Sequence, residues 1–116
     1  MHQIIVDRII FFLKKTSLST KSTSFKKIGV ENYSQVTISE SKSADKFFVT
    51  ITSRLDEPES YRFFENLANV FRRNLTREEQ EFYNWDFWYF EFDYKKLCDF
   101  LDCFDLKDWK ISFHER

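Results

Sequence analysis

The segment spanning residues 85–93, WDFWYFEFD, constrains the fold of this chain more than any other stretch. Its aromatic side chains fit no helical stripe, and aromatic residues are enriched in β-strands. Successive side chains of a strand point to opposite faces, so one face would carry only large apolar residues: Trp88, Phe90 and Phe92. The other would mix aromatic rings with carboxylates: Phe87, Tyr89, Glu91 and Asp93. Apolar residues on both faces predict an interior strand, and they leave open whether Trp85, Phe87 and Tyr89 lie under a helix or face water.

The composition limits the kinds of function open to the chain. Its 116 residues suit one domain, residues 1–116, with a core of its own. The chain has 15 Phe, five Tyr and three Trp, but one Gly and one Pro. Loops that cradle a phosphate group need several residues that let backbone N–H groups approach the ligand closely. The composition therefore argues against a glycine-rich phosphate-binding loop.

The spacing of apolar residues predicts helices and strands that alternate along the chain. The predicted elements are a helix over 3–15, a polar loop over 16–24, strands within 25–55, a helix over 57–74, a strand over 85–93, a helix over 94–104 and a strand over 108–114. This order predicts an α+β domain, in which helices pack on a mainly antiparallel or mixed sheet of four to five strands.

Two segments carry the signature of a helix start. Asp56 precedes Pro58 and Glu59, so a capping carboxylate, a proline in the first turn and a capping-box glutamate occur together. The run TREE, which begins at Thr76, repeats the cap signature and predicts a second short helix there.

The cysteines and the apolar runs indicate where the chain resides. Cys98 and Cys103 lie five positions apart, which matches neither a redox pair nor a zinc knuckle, so we expect free thiols and a reducing compartment. The apolar run over 9–13 is too short for a signal core or a membrane span. We therefore expect a cytoplasmic protein with no membrane contact, no cofactor and no bound metal.

One short motif points to catalysis. In EFDYK, Glu91, Asp93 and Lys95 alternate, so on a strand two carboxylates and an amine would converge and could hold a divalent cation. The motif resembles the catalytic strand of the PD-(D/E)xK nucleases, which implies that Asp93 and Lys95 are the second acid and the lysine. The other acid would be Asp86 or Glu78, and the Pro-Asp pair of that family is missing. The alternative, which we favour because short motifs recur by chance in a chain with 32% charged residues, is that Asp93 caps the next helix.

Charge gives the second pointer to function. Residues 1–54 hold nine basic and four acidic residues, whereas residues 55–116 hold nine basic and fifteen acidic ones. Aromatic anchors surrounded by carboxylates suit a basic protein partner, because the negative potential speeds association and rejects wrong partners. It also repels a phosphate backbone, so nucleic-acid binding is disfavoured. The expected partner-binding residues are Glu78, Glu79, Glu81, Tyr83, Trp85, Asp86, Tyr89, Glu91, Asp93, Asp99, Asp102 and Asp105, with Asp108 continuing the last group.

A small, glycine-poor α+β chain without a catalytic constellation is similar in these general terms to bacterial toxin-immunity proteins. The resemblance implies a non-enzymatic inhibitor that presents carboxylates to a basic toxin, such as a nuclease that would otherwise bind phosphates. Two alternatives stay open at this point: a metal-dependent nuclease, and a self-associating module whose aromatic face pairs with itself in a homodimer.

Overall fold

In the part of the chain that the structure describes, the fold consists of one antiparallel sheet and three α-helices that lie on it. The computed structural model describes residues 3–14, 21–28, 33–41, 45–71, 76–80 and 85–115. Within these ranges the elements are α1 (Gln3–Lys14), β1 (Lys21–Lys27), β2 (Gln35–Glu40), β3 (Phe47–Arg54), α2 (Pro58–Val70), β4 (Thr76–Gln80), β5 (Trp85–Phe92), α3 (Tyr94–Leu101) and β6 (Trp109–Glu115). A short 3₁₀ turn, Leu106–Asp108, leads into β6.

The strands of the described ranges form one six-stranded sheet in the order β4-β5-β3-β2-β1-β6. Every neighbouring pair is antiparallel. The predicted class, an α+β fold with a mainly antiparallel sheet, is confirmed. The sheet has one strand more than the predicted four to five because residues 76–80 pair with β5. β5 is an interior strand, as its apolar residues on both faces predicted.

All three helices bury their apolar faces on the same side of the sheet. Cross-strand partners point to one face, and the register aligns a row of apolar residues across four strands: Phe25, Val36, Ile51 and Trp88. Each of these side chains is at most 2% exposed. Ile9 of α1, Phe64 of α2 and Phe100 of α3 belong to the same core. The other face of the sheet, called here the open face, is not covered by these helices.

Aromatic rings fill the core between β5 and α3. Trp88, Phe90 and Phe92 are at most 4% exposed, as predicted for the apolar face of this strand. The ring centroids of Phe92 and Phe100 are 5.4 Å apart, and those of Phe100 and Phe104 are also 5.4 Å apart. Tilted and edge-to-face rings of this kind add about 0.5–1.5 kcal/mol per pair to the gain from burial. The aromatic row of β5 therefore fixes α3 on the sheet.

Replacement of Phe90 tests this one-sided packing. Phe90 is 1% exposed, so Phe90→Ala should lower the free energy of unfolding by about 3–5 kcal/mol through lost burial and a residual cavity. Phe48→Ala is the matched control, because Phe48 lies on the open face of β3 and is 45% exposed. In urea unfolding the control should lose less than about 1 kcal/mol. Equal losses for the two variants would contradict a core on one side only.

The polar loop predicted over 16–24 is wrong for residues 21–24, which belong to β1. This strand pairs with β2 on one side and with β6 on the other. Ser, Thr and Lys are typical of loops, and the sequence pattern therefore did not reveal the strand. Pairing on both sides satisfies its backbone groups and outweighs that local preference. Residues 15–20 lie outside the described residues.

The short helix predicted from Thr76 is also wrong, because Thr76–Gln80 form β4. The cap signature TREE is a local preference, whereas β5 offers the segment a ladder of backbone hydrogen bonds. A capping box needs a following helix to stabilise, and residues 81–84 lie outside the described residues.

Helices α2 and α3 end earlier than predicted. α2 ends at Val70 rather than at residue 74, and residues 72–75 lie outside the described residues. α3 ends at Leu101 rather than at residue 104, because the chain turns there and still brings Phe104 into the core at 2% exposure. None of the helices in the described ranges is long and apolar enough to cross a membrane.

Thr23 is poorly matched to its place in β1. The residue is fully buried, and among the described residues its hydroxyl oxygen Oγ1 has no hydrogen-bond partner. Thr23→Val keeps the shape and removes the unsatisfied hydroxyl, so the free energy of unfolding should rise by about 1–2 kcal/mol. The control Thr50→Val, at a half-buried position on the open face, should change it by less than about 0.5 kcal/mol. A loss of stability in Thr23→Val would show that the hydroxyl is satisfied.

Candidate functional site

The predicted partner-binding residues do not form one continuous surface. Glu81 and Tyr83 lie outside the described residues. For four others the structure describes only the strand positions, on β4 and β5: Glu78, Glu79, Trp85 and Asp86. Tyr89 and Glu91 lie on the open face of β5, whereas the last group lies in and around α3 on the helix side: Asp93, Asp99, Asp102 and Asp105. Tyr89 and Glu91 are therefore on the opposite side of the sheet from the acids of α3.

Phe87 and Tyr89 lie on the open face and do not pack under a described helix. Both are half-buried, their ring centroids are 6.4 Å apart, and their planes differ by 15°. Phe48 of the adjacent strand β3 lies on the same face and is 45% exposed. These three rings form a small aromatic patch, with Glu91 opposite Phe48 in the register.

The EFDYK motif does not assemble the site that the nuclease resemblance implies. β5 ends before Asp93, so the alternation of a strand stops there. Asp93 is instead the N-cap of α3, and its carboxylate accepts a hydrogen bond from the backbone N–H of Lys96 at 2.8 Å. This bond satisfies one of the unpaired N–H groups in the first turn of the helix. The alternative interpretation of Asp93 as a cap is the one that the structure bears out.

The other two members of the motif have partners of their own. Glu91 accepts a hydrogen bond from the hydroxyl of Ser41. The ammonium group of Lys95 lies 3.3 Å from the carboxylate of Asp99, one helical turn further on. Within the described part of the chain, no group of three or more His, Cys, Asp or Glu residues is placed to hold a metal ion. The motif thus serves the start of α3 and its surface.

Two substitutions at Asp93 separate a helix cap from a catalytic acid. Asn and Asp cap helices about equally well, whereas Ala does not. Asp93→Ala should therefore lower the free energy of unfolding by about 1 kcal/mol, and Asp93→Asn by less than about 0.5 kcal/mol. Thermal unfolding with and without magnesium measures both effects. A magnesium-dependent stabilisation that Asp93→Asn abolishes would instead assign this carboxylate to a metal.

The acids that follow α3 meet a second acidic group at the start of α2. Between them is a cleft of about 540 Å³, lined by four carboxylate residues: Glu57, Glu59, Asp105 and Asp108. The rings of Phe63 and Trp109, whose centroids are 5.6 Å apart, provide its apolar wall, and Lys27 and Cys103 also line it. These residues define what we call the acidic cleft. It combines aromatic surface with an excess of negative charge, a combination that the sequence predicted for residues 78–93.

Sheet pairing brings the two acidic groups together. The 3₁₀ turn Leu106–Asp108 leads into β6, which pairs with β1 so that Trp109 lies opposite Lys27. The backbone carbonyl of Asp108 accepts a hydrogen bond from the N–H of Ile28 at 2.7 Å. The turn is therefore anchored to the end of β1. The first turn of α2 follows β3 at the same end of the sheet, and the cleft lies between these segments.

Glu57 is held in place by hydrogen bonds to the segment before β2. Its carboxylate accepts from the backbone N–H groups of Tyr33 and Ser34 at 2.8 and 3.0 Å, and from the Ser34 hydroxyl at 2.6 Å. The predicted cap by Asp56 is wrong, because Glu57 occupies the N-cap position and Asp56 forms a two-point pair with Arg54. The hydrogen bond from Arg54 lowers the pKa of Asp56. Asp56 therefore pairs with a charged residue two positions away and does not occupy the N-cap position.

Cys103 is a free thiol in the lining of the acidic cleft, and Cys98 is also free, as their spacing predicted. Partial burial of Cys103 raises the pKa of its thiol, and the carboxylates of Asp102 and Asp99 raise it further. The thiol is therefore protonated at neutral pH. A protonated thiol is a poor nucleophile, so the cleft does not activate Cys103.

The open face holds a serine–histidine pair that the sequence did not indicate. Ser24 Oγ and His114 Nε2 are 2.9 Å apart. A serine nucleophile also needs N–H donors that stabilise the oxyanion. Ser24 lies inside β1, whose backbone pairs with β2 and β6, so the sheet itself uses the nearby N–H groups. We therefore interpret the pair as a polar contact between neighbouring strands.

Sequence patterns indicated only part of the acidic cleft. Asp105 and Asp108 belong to the predicted acidic set, whereas Glu57, Glu59 and Trp109 come from segments that carried only a structural signal. Comparisons of the chain with protein-family models, curated proteins and solved structures found no match. The functional proposal is therefore based on the geometry and charge of the described residues.

Proposed function

We propose that this protein is a non-enzymatic inhibitor that binds a basic protein, most concretely a cytoplasmic immunity protein that neutralises a toxin such as a nuclease. The observation that supports the proposal best is the acidic cleft, where carboxylates border the rings of Phe63 and Trp109. Of the residues predicted from sequence, Asp105 and Asp108 line the cleft, and Asp99 and Asp102 lie close enough to raise the pKa of Cys103 within it.

The cleft suits an arginine side chain of a partner. A guanidinium group donates paired hydrogen bonds to carboxylates and stacks on aromatic faces. Glu59 and Asp105 are exposed at the cleft, and the half-buried ring of Phe63 lies next to that of Trp109. The Asp105 carboxylate accepts a hydrogen bond from the backbone N–H of Lys107 at 3.2 Å, and the exposed ammonium group of the same residue is 3.9 Å away. Such surface pairs are weak, so a partner's cation can replace Lys107.

Charge around the cleft also favours a basic protein over a nucleic acid. Asp99 and Asp102 of the α3 segment extend the negative potential beyond the lining. A potential of this sign steers a positively charged surface toward the cleft and raises the association rate. It opposes a phosphate backbone, which itself needs cations from the protein. An inhibitor that occupies the basic surface of a nuclease would use the same complementarity.

Charge reversal in the cleft tests the proposal. A pull-down from cells that carry the gene should recover a basic protein, and the neighbouring gene is the first candidate to encode it. The double variant Glu59→Lys/Asp105→Lys should weaken binding about tenfold or more, mainly through slower association. Binding of the unmodified chain should weaken as salt rises from about 50 to about 300 mM, and the bound partner should lose its toxic activity. Affinity that is independent of salt would contradict the proposal.

Glu40→Lys is the matched control for this experiment. Glu40 is exposed at the end of β2, which the register places at the opposite end of the sheet from Lys27 and the cleft. This variant should leave the affinity within about twofold. Alkylation of Cys103 gives a readout that does not depend on charge, since a partner seated in the cleft should protect the thiol. Binding without protection would assign the partner to another surface.

A further inference from the structure

Helix α1 has a second apolar stripe on the side that faces away from the core. Val6, Ile9 and Leu13 are buried against the sheet. Ile4 and Phe11, on the opposite side of the helix, are 77% and 75% exposed. Residues three, four and seven positions apart share one face of a helix, so this stripe also includes two exposed charged residues between the apolar ones: Asp7 and Arg8.

The stripe continues onto β6 and forms a shallow groove there. Phe113 is 39% exposed, and its ring meets the ring of Phe12 edge-on at a centroid distance of 5.0 Å. The guanidinium group of Arg8 lies 5.8 Å from the centroid of the Phe113 ring. Asp7 accepts a hydrogen bond from the hydroxyl of Tyr94 at 3.1 Å. These contacts place both charges on the exposed face of α1 before any partner binds.

We propose that this stripe is the interface of a symmetric homodimer in which two copies of α1 pack antiparallel. A two-fold axis between positions 7 and 8 places Ile4 of one copy against Phe11 of the other. The same axis places Asp7 of each copy against Arg8 of the other, so the interface contains two Asp7–Arg8 pairs. Two-fold interfaces require a surface that complements itself, and the four residues of this stripe satisfy that requirement in both apolar character and charge.

Other occupants fit the stripe less well. A helix that lies in a membrane surface keeps its charges on the polar face, whereas Asp7 lies in the middle of this apolar stripe. A strongly basic partner would be repelled by Arg8, and a strongly acidic one by Asp7. One cation and one carboxylate side by side favour a partner with the same pair in reverse order, and a second copy of the chain supplies it.

The dimer should be weak and should depend on concentration. A stable interface buries about 800 Å² on each partner, and a seam along a helix of 12 residues with one neighbouring ring covers less. The acidic cleft lies at α2 and the turn before β6, not on α1. Self-association and binding of a basic protein therefore use different surfaces, and a failure of one proposal leaves the other intact.

Sedimentation equilibrium with complementary charge variants tests the dimer. The unmodified chain should pass from monomer toward dimer between about 10 µM and about 1 mM. Asp7→Arg and Arg8→Asp should each weaken self-association about tenfold or more, because like charges then face each other across the axis. An equimolar mixture of the two variants should associate again, since each restores the opposite charge that the other lacks.

Two controls keep the result interpretable. Circular dichroism and thermal unfolding check that each variant is folded, because Asp7 and Arg8 also contact Tyr94 and Phe113. Phe11→Asp should abolish self-association although Asp7 and Arg8 are unchanged. A monomer at every concentration, a mixture that stays monomeric, or vesicle binding by the stripe in place of self-association would each overturn the proposal.

Discussion

Burial of an apolar row on one face of a single antiparallel sheet determines where the described helices and turns of this molecule lie. The row crosses β1, β2, β3 and β5, and the apolar stripes of the three helices close over it. Aromatic rings make most of the contact between β5 and α3, where the ring centroids of Phe92 and Phe100 are 5.4 Å apart. An antiparallel sheet tolerates water on one face, so the helices have no need to cover the other.

This arrangement separates two kinds of surface. The open face carries hydroxyl groups and an aromatic patch of Phe48, Phe87 and Tyr89. These three rings are partly exposed and do not belong to the core. The helix side carries the acidic cleft, formed where the first turn of α2 meets the turn that leads into β6. Carboxylates are found there because the start of a helix and a turn are both exposed to water. Trp109 enters the core beside them. Apolar surface next to accessible charge is what a protein-binding site requires.

The sequence predicted the elements in which apolar residues recur at regular spacing, and it missed the elements that lack such spacing. The alternation in β2 and β3 and the apolar row of β5 each state which side faces the core, and the structure agrees. The spacing in α1 predicted the helix, but it put Ile4 on the same side as Ile9 and Leu13, whereas Ile4 is 77% exposed. β1 and β4 have no such pattern, because most of their residues are polar and occur just as often in loops or at helix caps. Their assignment as strands depends on neighbours that supply backbone hydrogen bonds from far along the chain.

Local chemistry in the sequence determined that the chain would bury aromatic residues in the core of an α+β domain and keep its carboxylates in water. It also allowed two roles for Asp93, since a cap and a metal ligand need the same residue type. Only the tertiary structure decided between them, because β5 ends before Asp93 and the helix begins there. Only the pairing of β6 with β1 brought Trp109 and Asp108 beside Glu57 and Glu59. The physical reason is that a surface cleft is made by contacts between distant segments, which no local pattern encodes.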